Sequence, residues 1–451
     1  MPNVKPYYTT DELLESIQLR IAFPLQQSTF NATNLIKFIN EELQLSAVPT
    51  LLELHQEYLI YNKFVPLVPS LSNYPIPDRA IGMTLRDVKF MDTNGNLYDM
   101  SRVAPEDKAF FQSSSISTQT YGLYYLQNNN VVLTPVNPSN NSGYLRMDFA
   151  MRPNYLVQND RACTIVAYHK YVTIDNYADL QDGDTFSFTI GNNTQTQTSF
   201  TFTAVSGSPG AYEFQIGGSN NATAANFVAA INAASIPDIT ATVDPSDLQT
   251  VDIRYDDITT IFVSETQETT NTIFDFTMDT TSIEFNQLPP NWTNIDTNVT
   301  ESLYTAGCLV DFLQTGSGHR TYSYDVTLLS LNGTVGTFTT RELQFQTFNV
   351  NASASYIYYP INVGDYMCLQ NECIIPQIPS ELHSALAERV AARIQRAIGD
   401  REGYAVSKAE IAEMDRKQNT MIMQRVEGSV NKVFNRSSLL RMGRFRWGRR
   451  F

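Results

Sequence analysis

Apolar residues near the start of the chain recur three and four positions apart. Leu13, Leu14, Ile17 and Ile21 follow Thr9-x-x-Glu12, a pair that can cap the first amides of a helix reciprocally. The pattern predicts a helix from there to Pro24. A second helix is predicted with Leu35, Ile36, Ile39 and Leu43 on one face. Pro49 suits the first turn of a third, which would carry Leu51, Leu52, His55, Tyr58 and Leu59. None of the three has a long apolar stripe, so each needs a partner elsewhere.

From about Asn73 the period shortens to two. Thr84 to Met91, a turn at 92–96 and Leu97-Tyr98 read as a hairpin, and so do Gly122 to Leu126 and Val131 to Val136 around Asn128-Asn129-Asn130. Tyr144 to Met151 adds a third strand, giving a small antiparallel meander. Residues 172–360 are rich in Thr, Asn, Ser and aromatics. Thr185 to Ile190 and Ser199 to Thr203 alternate most clearly, and one helix is predicted at about Ala222 to Ala233. This stretch reads as one or two β-sandwich-like modules.

Helix returns at the end. Leu382, Leu386, Val390, Ile394 and Ile398 recur every four residues after Pro379, and Gly399 closes the run. A further helix is predicted from about Gly403 to Gln424, with Tyr404, Ile411, Met414 and Met421 on one side. The expected fold is α+β: a helical bundle formed by the N- and C-terminal helices, with inserted antiparallel β modules. The corresponding divisions are 1–72 (N-terminal helices), 73–171 (meander), 172–360 (inserted modules), 361–430 (C-terminal helical hairpin) and 431–451 (arm).

The 451 residues, 42% of them hydrophobic, suffice for two or three cores. No stretch approaches the roughly 20 apolar residues of a membrane span. The start MPNVKPYYTTDELLES lacks a secretory pattern, so folding in the cytoplasm is expected. Four cysteines, Cys163, Cys308, Cys368 and Cys373, make no disulfide framework and no zinc spacing, and are expected as free thiols.

Charge changes the picture more than composition does. Between Val172 and Thr300 a single basic residue, Arg254, stands against seventeen acidic ones, whereas Lys432 to Phe451 holds seven basic residues and no acidic one. The acidic body is unsuited to binding nucleic acid through counterion release. The tail interleaves Lys432, Arg436, Arg441, Arg444, Arg446, Arg449 and Arg450 with Phe434, Leu439, Leu440, Phe445, Trp447 and Phe451. Arginine and aromatics are the types that anchor protein interfaces. A buried aromatic contributes about 1.5–3 kcal/mol, and solvation alone has no use for four of them. Docking onto a partner is therefore expected in preference to a solvated tail, with contact to nucleic acid as a third reading.

Catalytic patterns are weak. His55, His169, His319 and His383 are scattered, and Gly316-Ser317-Gly318-His319-Arg320 reads as a turn rather than a nucleophile elbow. His383, in the first turn of its helix, reads as a surface or packing residue. Asp179-Leu180-Gln181-Asp182-Gly183-Asp184 lacks the closing bidentate Glu of a calcium loop and reads as an exposed acidic turn. No enzyme activity, cofactor or metal is expected.

Several stretches carry a family resemblance. Val363-Gly364-Asp365-Tyr366-Met367-Cys368-Leu369, Pro376 to His383, Leu386 to Ala391 and Arg425 to Val433 are similar to head–tail adaptor proteins of tailed bacteriophages. Tyr74-Pro75-Ile76-Pro77-Asp78-Arg79-Ala80-Ile81-Gly82 with Leu85 to Val88 resembles the same proteins at the matching end, and the Asn- and Thr-rich middle resembles phages of the crAss-like group. The resemblance implies a structural subunit of a neck ring joining head portal to tail and lining part of the DNA channel. It implies a dodecameric homo-oligomer in the virion, assembled in the host cytoplasm. Portal protein and other neck or tail ring proteins would be its partners, genomic DNA would pass without sequence recognition, and no membrane would be involved. Lys432 to Phe451 would then be the portal-docking arm. The runner-up is a tail or fibre-associated protein whose β insertion binds a host-surface glycan, marked by aromatics grouped in a loop cleft. A tail-borne glycan hydrolase ranks last.

Overall fold

The computed structural model describes residues 7–21, 31–55, 57–68, 71–92, 96–107, 123–134, 143–192, 197–256, 260–268, 274–275, 280–287, 292–293, 300–301, 303–315, 321–339 and 363–422. Helix α1 (Thr10–Ile21) starts where the capping pair predicts, with the Glu12 carboxylate accepting from the Thr9 amide at 2.7 Å. Helix α2 (Ala32–Glu42) is capped by the Asn31 side chain, which accepts from the Asn34 amide at 2.9 Å. It continues as a π-helical stretch (Leu43–Ala47) into α3 (Val48–Leu54). Pro49 in the first turn of α3 has no N–H to give to the carbonyl four residues back, and the Val48 amide reaches five residues back to Leu43. The expected third helix stops at Leu54. Tyr58 and Leu59 instead lead into strand Ile60–Pro66, whose seven residues pair antiparallel with Gly143–Ala150.

The region after α3 is not one meander but two four-stranded sheets. One runs Ile60–Pro66, Gly143–Ala150, Asp87–Asp92, Leu97–Asp99, and the other Asn73–Pro75, Asn130–Thr134, Leu123–Gln127, Ser101–Arg102. Val88, Leu145, Met147 and Phe149 of the first share a core with Tyr74, Tyr124, Val131 and Leu133 of the second.

The centre of the molecule is a closed antiparallel barrel. Its strands, in spatial order, are Cys163–Ile174, Thr280–Phe285, Val335–Thr339, Thr321–Asn332, Leu309–Leu313 and Tyr366–Leu369, and the last pairs back onto the first through Cys163 with Met367. Ile165, Ile283, Phe285, Val310, Phe312, Leu328, Phe338 and Met367 fill it, so the barrel is a packed core and not a pore. The twelve-residue strand Cys163–Ile174 outruns the barrel. Its far half pairs with Thr250–Tyr255 and leads into an aromatic module. There helix α4 (Asn220–Ala233) lays Phe227 against Phe186, Phe202, Phe214 and Phe274, at ring centroid distances of 5.0–6.0 Å.

This arrangement overturns the expected helical bundle with inserted β modules. Strand predominates over helix among the described residues, and the closed barrel organises the chain. The physical reason is barrel closure: once 163–164 pairs with 366–367, the sheets are the frame and the helices cover it. Helices α1, α2 and α3 and the C-terminal α5 (His383–Ile398) form that cover, burying Leu13, Ile17, Leu35, Ile39, Leu51, Leu386, Val390 and Ile394 together with Leu313, Cys368 and Ile375. Gly399 ends α5 in the left-handed region at φ 84°, and α6 (Arg401–Ile422) returns along it.

Candidate functional site

Every residue of the expected docking arm lies outside the described residues: Lys432, Phe434, Arg436, Leu439, Leu440, Arg441, Arg444, Phe445, Arg446, Trp447, Arg449, Arg450 and Phe451. The stretch Gly316–Arg320, expected as a turn, lies outside them too. What is described nearest to the arm in sequence is a platform of helices.

Helix α5 is the hub of that platform. Its apolar face enters the helical core, and its charged positions reach both ways. Glu388 accepts from Arg20 Nε of α1 at 2.8 Å, and Ser384 accepts from the same guanidinium at 3.1 Å. Arg389 bonds Asp415 of α6 at 2.5 Å and Ser46 of the π-helical stretch, while Arg393 pairs with Glu41 and lies 5.5 Å over the Phe38 ring. Helix α6 has no such second side. Over 401–417 only Ser407 is buried, and Val406 is 58% exposed. A helix of 22 residues, roughly 33 Å long, is thus largely exposed over 401–417.

Beneath this layer sits a buried polar node that periodicity gives no means of foreseeing. The Pro77 to Ala80 turn, closed by the Ala80 amide on the Pro77 carbonyl at 2.9 Å, directs Arg79 into the molecule. Arg79 makes a bidentate pair with Asp311, both bonds 2.8 Å, and a third bond to Asp325 at 2.8 Å. Asn154 Nδ2 donates to Asp311 at 2.7 Å, its Oδ1 accepts from Arg79 at 3.2 Å, and its amide donates to Gln377 Oε1 at 2.6 Å. Asp311 also accepts from the amides of Asp325 and Asn371 at 3.0 and 2.9 Å. Burial alone would lower the Arg79 pKa, but Asp311 and then Asp325 outweigh it and hold the guanidinium charged. Arg79 belongs to the early stretch that carries the family resemblance and Gln377 to the late one, so residues about 300 positions apart converge on Asn154 and Asp311.

The histidines take separate roles. His383 is buried: Nδ1 accepts from the Tyr8 amide at 3.0 Å, so the proton sits on Nε2, which faces the Pro376 and Ile378 carbonyls at 3.2 Å. It is a packing residue that ties the segment just before α1 to the start of α5. His169 lies on the sheet face where barrel and aromatic module meet, with Nδ1 2.8 Å from Asp252 and Nε2 3.2 Å from Glu284. Burial pulls its pKa down, but the two carboxylates overcome that and raise it above the ordinary value. Tyr171 stacks beside it, and burial together with Asp252 pushes its phenol up to about 12. His55 follows α3, edge-on to Tyr58.

The cysteines are free, and burial pushes the Cys163 thiol up to about 12. The acidic run at 179–184 folds as a turn whose carboxylates are occupied locally: Asp184 accepts from the Gln181 amide and Asp182 from the Ser206 amide. No helix among the described residues is long and apolar enough to cross a membrane. No family model and no curated protein matches this chain.

Proposed function

We propose that this protein is a non-catalytic structural subunit of the neck of a tailed phage, one copy in a dodecameric ring between head portal and tail. The observation that carries the reading is the junction at Asn154 and Asp311. The early and late stretches that resemble head–tail adaptors are drawn there into one buried unit, through Arg79 on one side and Gln377 on the other. A ring closed by heterologous contacts needs rigid subunits with two complementary surfaces rather than a reactive cleft. A buried node that satisfies both oxygens of Asp311 and both terminal nitrogens of Arg79, leaving only Arg79 Nε unbonded, supports that rigidity. Helix α6, which returns along α5, is largely exposed over 401–417, and the basic aromatic stretch 432–451 follows it in sequence. Portal protein is the arm's partner in this reading, and neighbouring ring proteins meet the outer modules. DNA passes without sequence recognition. The particle assembles in the host cytoplasm.

Light scattering tests this on the full chain and on a chain ending at Val430, each with and without portal protein. The full chain should form a ring-sized complex with portal and the shortened chain should not. Absence of any complex with either chain would remove the ring reading.

A further inference from the structure

The aromatic module carries a groove of about 470 Å3. One wall is the loop Pro209–Glu213 with Gln215, and the other is the side of α4 bearing Asn226, Ala229, Ala230 and Ala233. Those four helix positions are spaced three, four and seven apart, so they form one strip alongside the face that buries Ala224, Phe227 and Ile231. Tyr212 stands at the rim, 41% exposed. It is held there against local preference: its φ is 58°, a left-handed conformation costly for an aromatic residue, and its carbonyl accepts from the Thr203 amide at 3.0 Å. Phe200 stacks on its ring at 6.4 Å between centroids and 20° between planes, while Phe202 supports it at 5.7 Å. The ring is thus fixed in a wet position where burial does not reward it.

We infer that this groove binds a neutral saccharide, stacked on Tyr212 over the alanine strip, with its hydroxyls bonded to the Gln215 side-chain amide, to Asn226 Oδ1 and to Glu213 Oε1. Asn226 Nδ2 donates to the Gln215 carbonyl at 2.9 Å, and the other Glu213 oxygen accepts from the Gly210 amide at 2.7 Å. A sugar ring has an apolar C–H face for the aromatic and the methyl floor, and a rim of hydroxyls for carboxylate and amide groups. Charge selects within that class. Glu213 is the one charged side chain among the described residues lining the groove, and its carboxylate disfavours sialylated or uronic-acid chains. The inference does not rest on the ring reading.

The test uses the full chain with chitotetraose and maltotetraose as neutral probes and a tetramer of α2,8-linked sialic acid as the anionic one. Saturation-transfer NMR should show contact with at least one neutral probe and none with the anionic one. Tyr212→Gly, which suits φ 58° and so keeps the fold, should weaken binding by about tenfold or more in calorimetry. Ala229→Leu, on an exposed helix position, should block the groove while leaving the melting temperature unchanged. Absence of transfer to both neutral probes, equal binding of the anionic probe, or undiminished binding by Tyr212→Gly would each overturn the inference. Portal assembly of Tyr212→Gly, scored separately, should match the unmodified chain, so the two readings fail in different assays.

Discussion

Two polar nodes hold the barrel to its surroundings, and water treats them differently. At the first, five donors converge on the two oxygens of Asp311, which is 0% exposed, and the charge partner is an arginine that does not titrate. At the second, His169 bridges Asp252 and Glu284, whose side chains are 17% and 22% exposed, and the cation exists only while the imidazole keeps its extra proton. The first node is lost only in acid, where Asp311, its pKa pushed up by burial against the pull of Arg79, takes a proton. The second is lost toward alkaline pH, where His169 gives one up. A buried ion pair, once fully bonded, constrains which segments meet more than it adds net stability. Losing one partner is what costs, because the other charge stays behind.

The largest effect should therefore come from breaking the first node on one side only. Arg79→Met leaves Asp311 buried with its guanidinium gone, and should cost about 3–5 kcal/mol in urea unfolding. Arg79→Met with Asp311→Leu should regain much of that loss, since neither charge is then stranded. A single variant that lost less than about 1 kcal/mol would mean that the node does not hold the two regions together.

A smaller effect, dependent on pH, should come from the second node. The folded-state pKa of His169 is raised above its unfolded value, so the bridge contributes fully below about pH 6.5 and its contribution is lost as the pH rises through the folded value. His169→Gln should be less stable than the unmodified chain by about 1–2 kcal/mol at pH 5.5, and the two should draw together by pH 9. Urea midpoints across that range measure it. A gap that widened toward pH 9 would show that the imidazole is held neutral.

Local features of the fold were legible in the sequence because their causes are local. Thr9 and Glu12 cap α1, Gly399 ends α5, and the runs beginning at Thr185 and Ser199 pair as a hairpin (Phe188 opposite Phe200). Alternation in Cys163–Ile174 tells which side chains share a face. It cannot tell that one end pairs with Met367, some 200 residues away, while the other pairs with Thr250–Tyr255. That non-local choice turned an expected bundle into a barrel with a helical cover. Tyr58 and Leu59 fit a helical stripe equally well, and only pairing of the next seven residues with Gly143–Ala150 drew them out of it. Of the candidate site, the arm at 432–451 was conspicuous by composition yet lies outside the described residues. The Arg79 node left no periodic trace, because Asp311 and Asn154 each occupy one position in otherwise unremarkable stretches. Tyr212 gave no signal either, since left-handed backbone is not readable from a single tyrosine.

The finest distinction between the nodes lies in Arg254. Its Nε bonds Asp256 at 2.9 Å and one terminal nitrogen reaches Glu284 at 3.2 Å, in a setting 40% exposed. Such a pair is screened by water, so Arg254→Ala should change stability by less than about 0.5 kcal/mol. It should nevertheless move the pH dependence. Arg254 shares Glu284 with His169, and its removal leaves that carboxylate more fully to the imidazolium, which favours the charged form. The midpoint of the pH-dependent loss should therefore shift upward and its amplitude grow with it, as NMR titration of the His169 ring and urea midpoints from pH 5.5 to 9 would both record. An unchanged midpoint would mean that Asp252 alone sets the histidine. The second node would then be a pair between two strands, and the barrel strand Thr280–Phe285 would have no part in it.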